Sequence, residues 1–175
     1  DRSVSRGLGD VYKRQSDEST EKKALDAKIT EYNRYLSNEG GMYETEALEE
    51  AMQKVMDEYA GGISTHYQFN EKQLALAKEK IEKIEKLAEN VNAGDMHELM
   101  FVYELKERLT VCKSVIAHLF ARKETRWHSF AENLDYPNKD NENFNKYVNS
   151  RLKDGEIEII LRDLVEGGRT YEHND

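Results

Sequence analysis

Apolar residues recur along most of the chain at the three- and four-residue steps of an α-helix, with charged residues filling the gaps. Ser19 to Tyr35 carries Ala24, Leu25, Ile29 and Tyr32 on this spacing, continued by Leu36, and Asn38, Gly40 and Gly41 supply a stop. A second run starting near Thr45 sets Leu48, Met52, Val55, Met56 and Tyr59 on one side and ends at Gly61-Gly62. Each stripe requires a partner, because such a helix is stabilised mainly by burying its apolar face.

The third run is the most regular. Asn70 and Gln73 stand at capping-box spacing, and Leu74, Ala77, Ile81, Ile84, Ala88 and Val91 then form one narrow seam. Asn92-Ala93-Gly94 closes this helix, and Asp95 with Glu98 opens the next with a second capping box, so the two should lie antiparallel. The fourth helix, Asp95 to Lys123, carries apolar residues around much of its circumference, from Met96, Leu99, Met100 and Phe101 to Val115, Ile116, Leu119 and Phe120. That pattern predicts the central, most buried helix, with Lys106, Glu107, Arg108 and Lys113 reaching solvent or pairing with one another.

After Phe120 the period breaks into a polar, aromatic-containing stretch, Glu124 to Asn143, which holds the single proline, Pro137. A period of two follows: Phe144, Lys146, Val148 and Ser150 alternate with Asn145, Tyr147 and Asn149, and Ile157, Ile159 and Leu161 alternate beyond the turn signal Lys153-Asp154-Gly155. The prediction is a mainly α fold, an antiparallel bundle of three to four helices with a C-terminal β-hairpin. Two strands are marginal alone, so the hairpin must lie on the helices or on a partner.

At 175 residues one domain is the default. It is expected over residues 16–166, between a disordered or non-native N-terminal tail (1–15) and a polar tail (167–175). Asp1 to Gln15 is basic and aperiodic, and its end, GDVYKRQ, resembles translated adapter sequence at the broken ends of assembled reads, which predicts a fragment that has lost its N-terminal part. Gly7-Leu8-Gly9 is half of a dinucleotide fingerprint, but it lacks the third glycine and the preceding strand. Lys and Arg total 26 against 35 Asp and Glu, a net charge of −9 that gives no footprint for nucleic acid. No window is apolar enough for membrane insertion. One cysteine, Cys112, makes no internal disulfide, and with no secretory signal a reducing, cytoplasmic setting is expected.

Candidate chemistry is sparse. No two of the five histidines share the spacing of a helical metal site, and Cys112 lies among apolar residues, where a thiol packs as a small hydrophobe. The Glu and Lys residues of the third helix read as a solvated face. Two segments stand apart: Met56-Asp57-Glu58-Tyr59-Ala60-Gly61-Gly62 running into an aromatic loop, and Glu124-Thr125-Arg126-Trp127-His128-Ser129-Phe130 leading to Leu134-Asp135-Tyr136-Pro137. Aromatics and arginine gathered outside a periodic core suggest a docking surface or site rim, against the plainer reading of a loop that covers the bundle end.

At these segments the chain resembles the C-terminal region of flavoprotein subunits in the succinate dehydrogenase and fumarate reductase superfamily, in its adenylylsulfate reductase alpha subunit branch. The similar features are MDEYAGG (Met56 to Gly62), DMHELM (Asp95 to Met100), ETRW (Glu124 to Trp127), DYP (Asp135 to Pro137) and VNSR (Val148 to Arg151), collinear from about Thr45 to Leu164. Trp127 stands where the wider family usually has glycine, which favours that branch, and Asn133 and Leu134 stand where the family usually has an arginine. The resemblance implies a helical domain that follows FAD-binding and capping domains, with an iron-sulfur subunit feeding the flavin. FAD is implied for the full-length subunit, no cofactor for this chain, and no catalysis by the chain alone. Arg126, Trp127, Asp135, Tyr136 and Tyr59 are then interface candidates. The alternative is a free-standing helical interaction module that binds another helix through the exposed seam of its first two helices.

Overall fold

The computed structural model describes residues 18–37 and 41–164, so the expectations for residues 1–15 and 167–175, and for a stop at Asn38 and Gly40, lie outside the described residues. The described residues form five α-helices: α1 (Glu18–Leu36), α2 (Thr45–Tyr59), α3 (Glu71–Ala88), α4 (Met96–Ala121) and the short α5 (Asn141–Phe144). The strands are β1 (Gln68–Phe69), β2 (Glu132–Asn133), β3 (Lys146–Lys153) and β4 (Glu156–Asp163). The mainly α architecture with a terminal hairpin is therefore as the periodicity predicts.

The seam read on α3 is the heart of the core: Leu74, Ala77, Ile81, Ile84 and Ala88 are all buried, but the helix stops at Ala88 and not at Asn92-Ala93-Gly94, so that Val91, also buried, lies beyond it and bridges to Tyr43. Leu48, Met52 and Val55 of α2 and Leu99, Val102, Leu105, Leu109 and Ile116 of α4 close on it. Salt bridges Glu85–Lys113 and Glu89–Lys106 join rising positions on α3 to falling ones on α4, the signature of antiparallel packing. The Asn70 side chain accepts from Gln73 N–H at 2.8 Å, but Gln73 Oε1 is buried without a partner, so only half of that capping box forms. At α4, Asp95 Oδ1 accepts from His97 and Glu98 N–H, while Glu98 reaches back to Gly94 N–H at 2.7 Å.

Three further expectations need correction. Helix α4 touches every other major element, but it buries one stripe only: Met96, Met100, Phe101, Val111 and Val115 remain exposed. Its broad apolar girdle is not a measure of burial, because none of the described elements covers the far side. Phe144 does not begin a strand; it ends α5, since the Asp140 side chain accepts from Asn143 N–H at 3.0 Å and starts a helical turn there. The stretch between α4 and the hairpin is also more structured than a loop, with β2 pairing in parallel with β1.

Helix α1 packs through its C-terminal half. Tyr35 is 1% exposed and its carbonyl accepts from Ala93 N–H, and Tyr32 meets Tyr103 edge-on at 5.3 Å, whereas Leu25 and Ile29 are exposed. Since the apolar seam of α2 lies inside the bundle, it is not open to another helix. The hairpin pairs Val148 with Leu161, Ser150 with Ile159 and Leu152 with Ile157, across Asp154 and Gly155, both at positive φ as a tight two-residue hairpin turn requires. Ser150 Oγ lies 3.2 Å from Ser114 Oγ, which turns this face toward α4. A cleft of about 480 Å³ remains there between Ile116 and Phe120 on one wall and Ile157 and Ile159 on the other.

Candidate functional site

Just beyond α4 the chain bends at Glu124, and the side chains of Arg122 and Arg126 converge on its carboxylate. Glu124 is 4% exposed, and its carboxylate accepts from Arg122 Nη1 at 2.6 Å, from Arg126 Nε and Nη2 at 2.8 and 2.9 Å, and from Asp140 N–H at 2.8 Å. Burial pushes the Glu124 carboxyl up, but these donors outweigh it and hold it below the usual carboxylate range. The arginines spend further donors on the chain that follows: Arg122 on the Phe144 and Lys146 carbonyls, Arg126 on Asn141 Oδ1. One buried carboxylate thus ties the end of α4 to α5 and to the first residue of the hairpin.

Next to this hub, Thr125 is 1% exposed; its hydroxyl donates to the Tyr136 carbonyl at 2.9 Å and accepts from Asn133 N–H at 3.0 Å. Asn133, itself buried, belongs to β2, and Leu134 N–H and Glu132 N–H donate to the carbonyls of Phe69 and Tyr67. The loop after α2 is thereby laced to the loop after α4. His66, Tyr67 and Ser129 hold positive φ values in these two loops, a conformation that costs non-glycine residues free energy. At the start of the first loop Gly61 has φ +76, and a Cβ on Gly62 would lie 2.4 Å from Asp57 Cα, so the double glycine is a steric requirement as well as a helix stop. Asp57 secures the turn by accepting from Ser64 N–H at 3.1 Å.

The laced loops present Ile63, Trp127, Phe130 and Leu134, all more than half exposed. Beneath Trp127 lies a slot of about 170 Å³ with apolar walls from Phe69, Leu119, Trp127, Ala131 and Val148, and with His118 and the arginine–glutamate hub at its polar side.

The five sequence candidates are placed as follows. Trp127 is 66% exposed and projects outward. Arg126, beside it, turns its guanidinium inward onto Glu124. Asp135 Oδ2 accepts from Glu71 N–H at the start of α3 at 2.7 Å, and Tyr136 donates to Glu71 Oε1 while Lys123 Nζ stands 5.5 Å above its ring. Arg126, Trp127, Asp135 and Tyr136 therefore share one end of the molecule. Tyr59, near the end of α2, is half-buried, with Lys80 Nζ 5.3 Å from its ring. Sequence reasoning does not single out Glu124 or Asn133 as organising residues; the available signal is Arg-x-Glu-x-Arg, two cations flanking one carboxylate within five residues. Among the described residues no group of three or more His, Cys, Asp or Glu could hold a metal ion. A dinucleotide does not fit the slot either: it has about the size of one side chain, and among the described residues no glycine-rich turn from strand to long helix cradles a phosphate.

A family model described as fumarate reductase flavoprotein C-term matches residues 49–167. Over 98 residues the chain is 30% identical to adenylylsulfate reductase subunit alpha of Megalodesulfovibrio gigas, covering 56% of this chain and 15% of that protein. The structure of adenylylsulfate reductase from Archaeoglobus fulgidus superposes with a TM-score of 0.77 at 27% identity, over 87% of this chain and 25% of that one. E. coli quinol fumarate reductase shares the fold, with a TM-score of 0.71 at 18% identity over 86% of this chain and 26% of that one. The chain thus spans 15% of the curated relative and about a quarter of the solved chains. With most of its length inside the matched region, the chain belongs to the fumarate reductase flavoprotein C-terminal family.

Proposed function

We propose that this chain is the C-terminal helical domain, a detached piece, of the flavoprotein subunit of an FAD-dependent oxidoreductase of adenylylsulfate reductase or fumarate reductase type, in a cytoplasmic setting. Its work is support and docking, and it catalyses nothing alone. The full-length subunit binds FAD in upstream flavin and capping domains, which this domain braces, and an iron-sulfur subunit exchanges electrons with that flavin. The observation that carries this reading is the family match to a flavoprotein C-terminal region in a chain that spans only about a quarter of its solved relatives. The Arg126-Trp127 turn and the Asp135-Tyr136-Pro137 element dock against those partners. A large aromatic standing on a rigid, ion-paired base suits an interface anchor.

The test is co-purification of the chain with the polypeptide encoded upstream in the same gene, expressed separately. Wild type should be captured, and Trp127→Ala should lower capture about tenfold while the isolated domain keeps its helical circular dichroism. Equal capture of both removes Trp127 from the interface, and a gene with no flavin-binding sequence ahead of Ser16 overturns the reading. The purified chain should also be colourless; a bound yellow chromophore would contradict the assignment of FAD to the upstream domains.

A further inference from the structure

The slot beneath Trp127 is smaller than a cofactor site but comparable to a cavity that takes a single benzene ring, about 150 Å³ when lined by aliphatic and aromatic side chains. Its walls are Phe69, Leu119, Trp127, Ala131 and Val148. They come from five different parts of the chain: β1, α4, the Trp127 turn, the residue before β2, and β3. Such a slot persists only if those parts are held rigidly, and they are. The Glu124 hub fixes the end of α4 to the start of β3, and β2 fixes Ala131 relative to Phe69 through paired strands. A preformed slot walled on one side by an exposed tryptophan suits one anchoring side chain of a partner.

Charge decides which side chain. At the polar side, beside His118, the two arginines face the Glu124 carboxylate and donate to Glu124, to backbone carbonyls and to Asn141. A basic side chain would meet two guanidinium groups, and an acidic one would compete with Glu124 for donors that already bind it, so the five apolar walls set the preference. We propose that the slot seats one uncharged apolar side chain, of leucine or phenylalanine size, supplied by the upstream part of the same subunit. This rests on the reading of the chain as a flavoprotein C-terminal domain, whose solved relatives are about four times as long.

Trp127 is the single tryptophan and forms a wall of the slot, so its emission reports occupancy directly. The separately expressed upstream polypeptide of the same gene, with its own tryptophans replaced by phenylalanine, is titrated into the chain. The expected result is a saturable blue shift of Trp127 emission. Two variants fill the slot, Ala131→Phe and Val148→Phe, so that a folding defect in one leaves the other informative. Each should weaken binding at least tenfold with an unchanged melting temperature, while Leu25→Asp on the exposed face of α1 should leave binding unchanged. If the wild-type chain binds the upstream polypeptide without a shift, and the filled variants bind equally well, the slot is not the seat and the domain reading stands. If the wild-type chain does not bind at all, the domain reading itself fails.

Discussion

Glu124 is an acidic residue with almost no exposure, held by four hydrogen bonds, and removing it would strand two guanidinium groups that face inward. Breaking a buried ion pair from one side costs about 3 kcal/mol or more. Glu124→Ala should therefore lower the urea midpoint sharply without changing the denaturant slope. Because the Glu124 pKa is depressed in the folded chain, the stabilisation is complete above the ordinary value of 4.5 and is lost as pH falls through the folded pKa. The stability gap between wild type and Glu124→Gln should therefore narrow on acidification, as seen in melting curves at a series of pH values. Gly62 is a second single-residue constraint: an added methyl would overlap the backbone of Asp57, so Gly62→Ala should cost roughly 1–3 kcal/mol, measured by the same denaturation. The glycine pair was legible in the sequence as a helix stop; the close approach to Asp57 was not, because it depends on how the chain doubles back after α2. Likewise the burial of Glu124 was hidden in a stretch whose composition is polar throughout, although the arginines on either side of it were in plain view.

Among the elements, α3 and the hairpin were readable because each rests on local rules: a strict apolar seam with an asparagine cap, and a turn whose two central residues tolerate positive φ. Helix α4 was misjudged because apolar residues on a helix show what could be covered and not what is. Helix α1 is held in part by polar contacts. Lys106 Nζ lies 3.2 Å from Glu31 Oε1, 3.2 Å from the Tyr35 hydroxyl and 3.3 Å from Glu89 Oε1, and so clasps α1 to α3 and α4. Hydrogen bonding from Lys28, working against burial and helped by Tyr103 and Lys106, brings the Glu31 carboxyl down to about 2. Its contribution is complete above 4.5 and fades between 4.5 and about 2, so the melting difference between wild type and Glu31→Gln should shrink across that window. Lys106→Met should speed amide exchange across residues 21–36 while leaving α3 protected, as read by mass spectrometry.

Over the whole molecule, the two loops that make the candidate site meet through strands of two residues each, too short for periodicity to reveal, and pair positions 64 apart in sequence. That is why the bundle could be drawn from the sequence while the site appeared only as two unrelated aromatic segments. The same pairing sets an order of events for a refolding chain. Closing so long a loop is entropically costly until α3 and α4 have zipped together and shortened the span, so the β1–β2 lacing belongs after the rate-limiting barrier. Asn133→Ala should accordingly accelerate unfolding severalfold in stopped-flow experiments and leave the refolding rate nearly untouched, which makes the site the last part of the molecule to be born and the first to come undone.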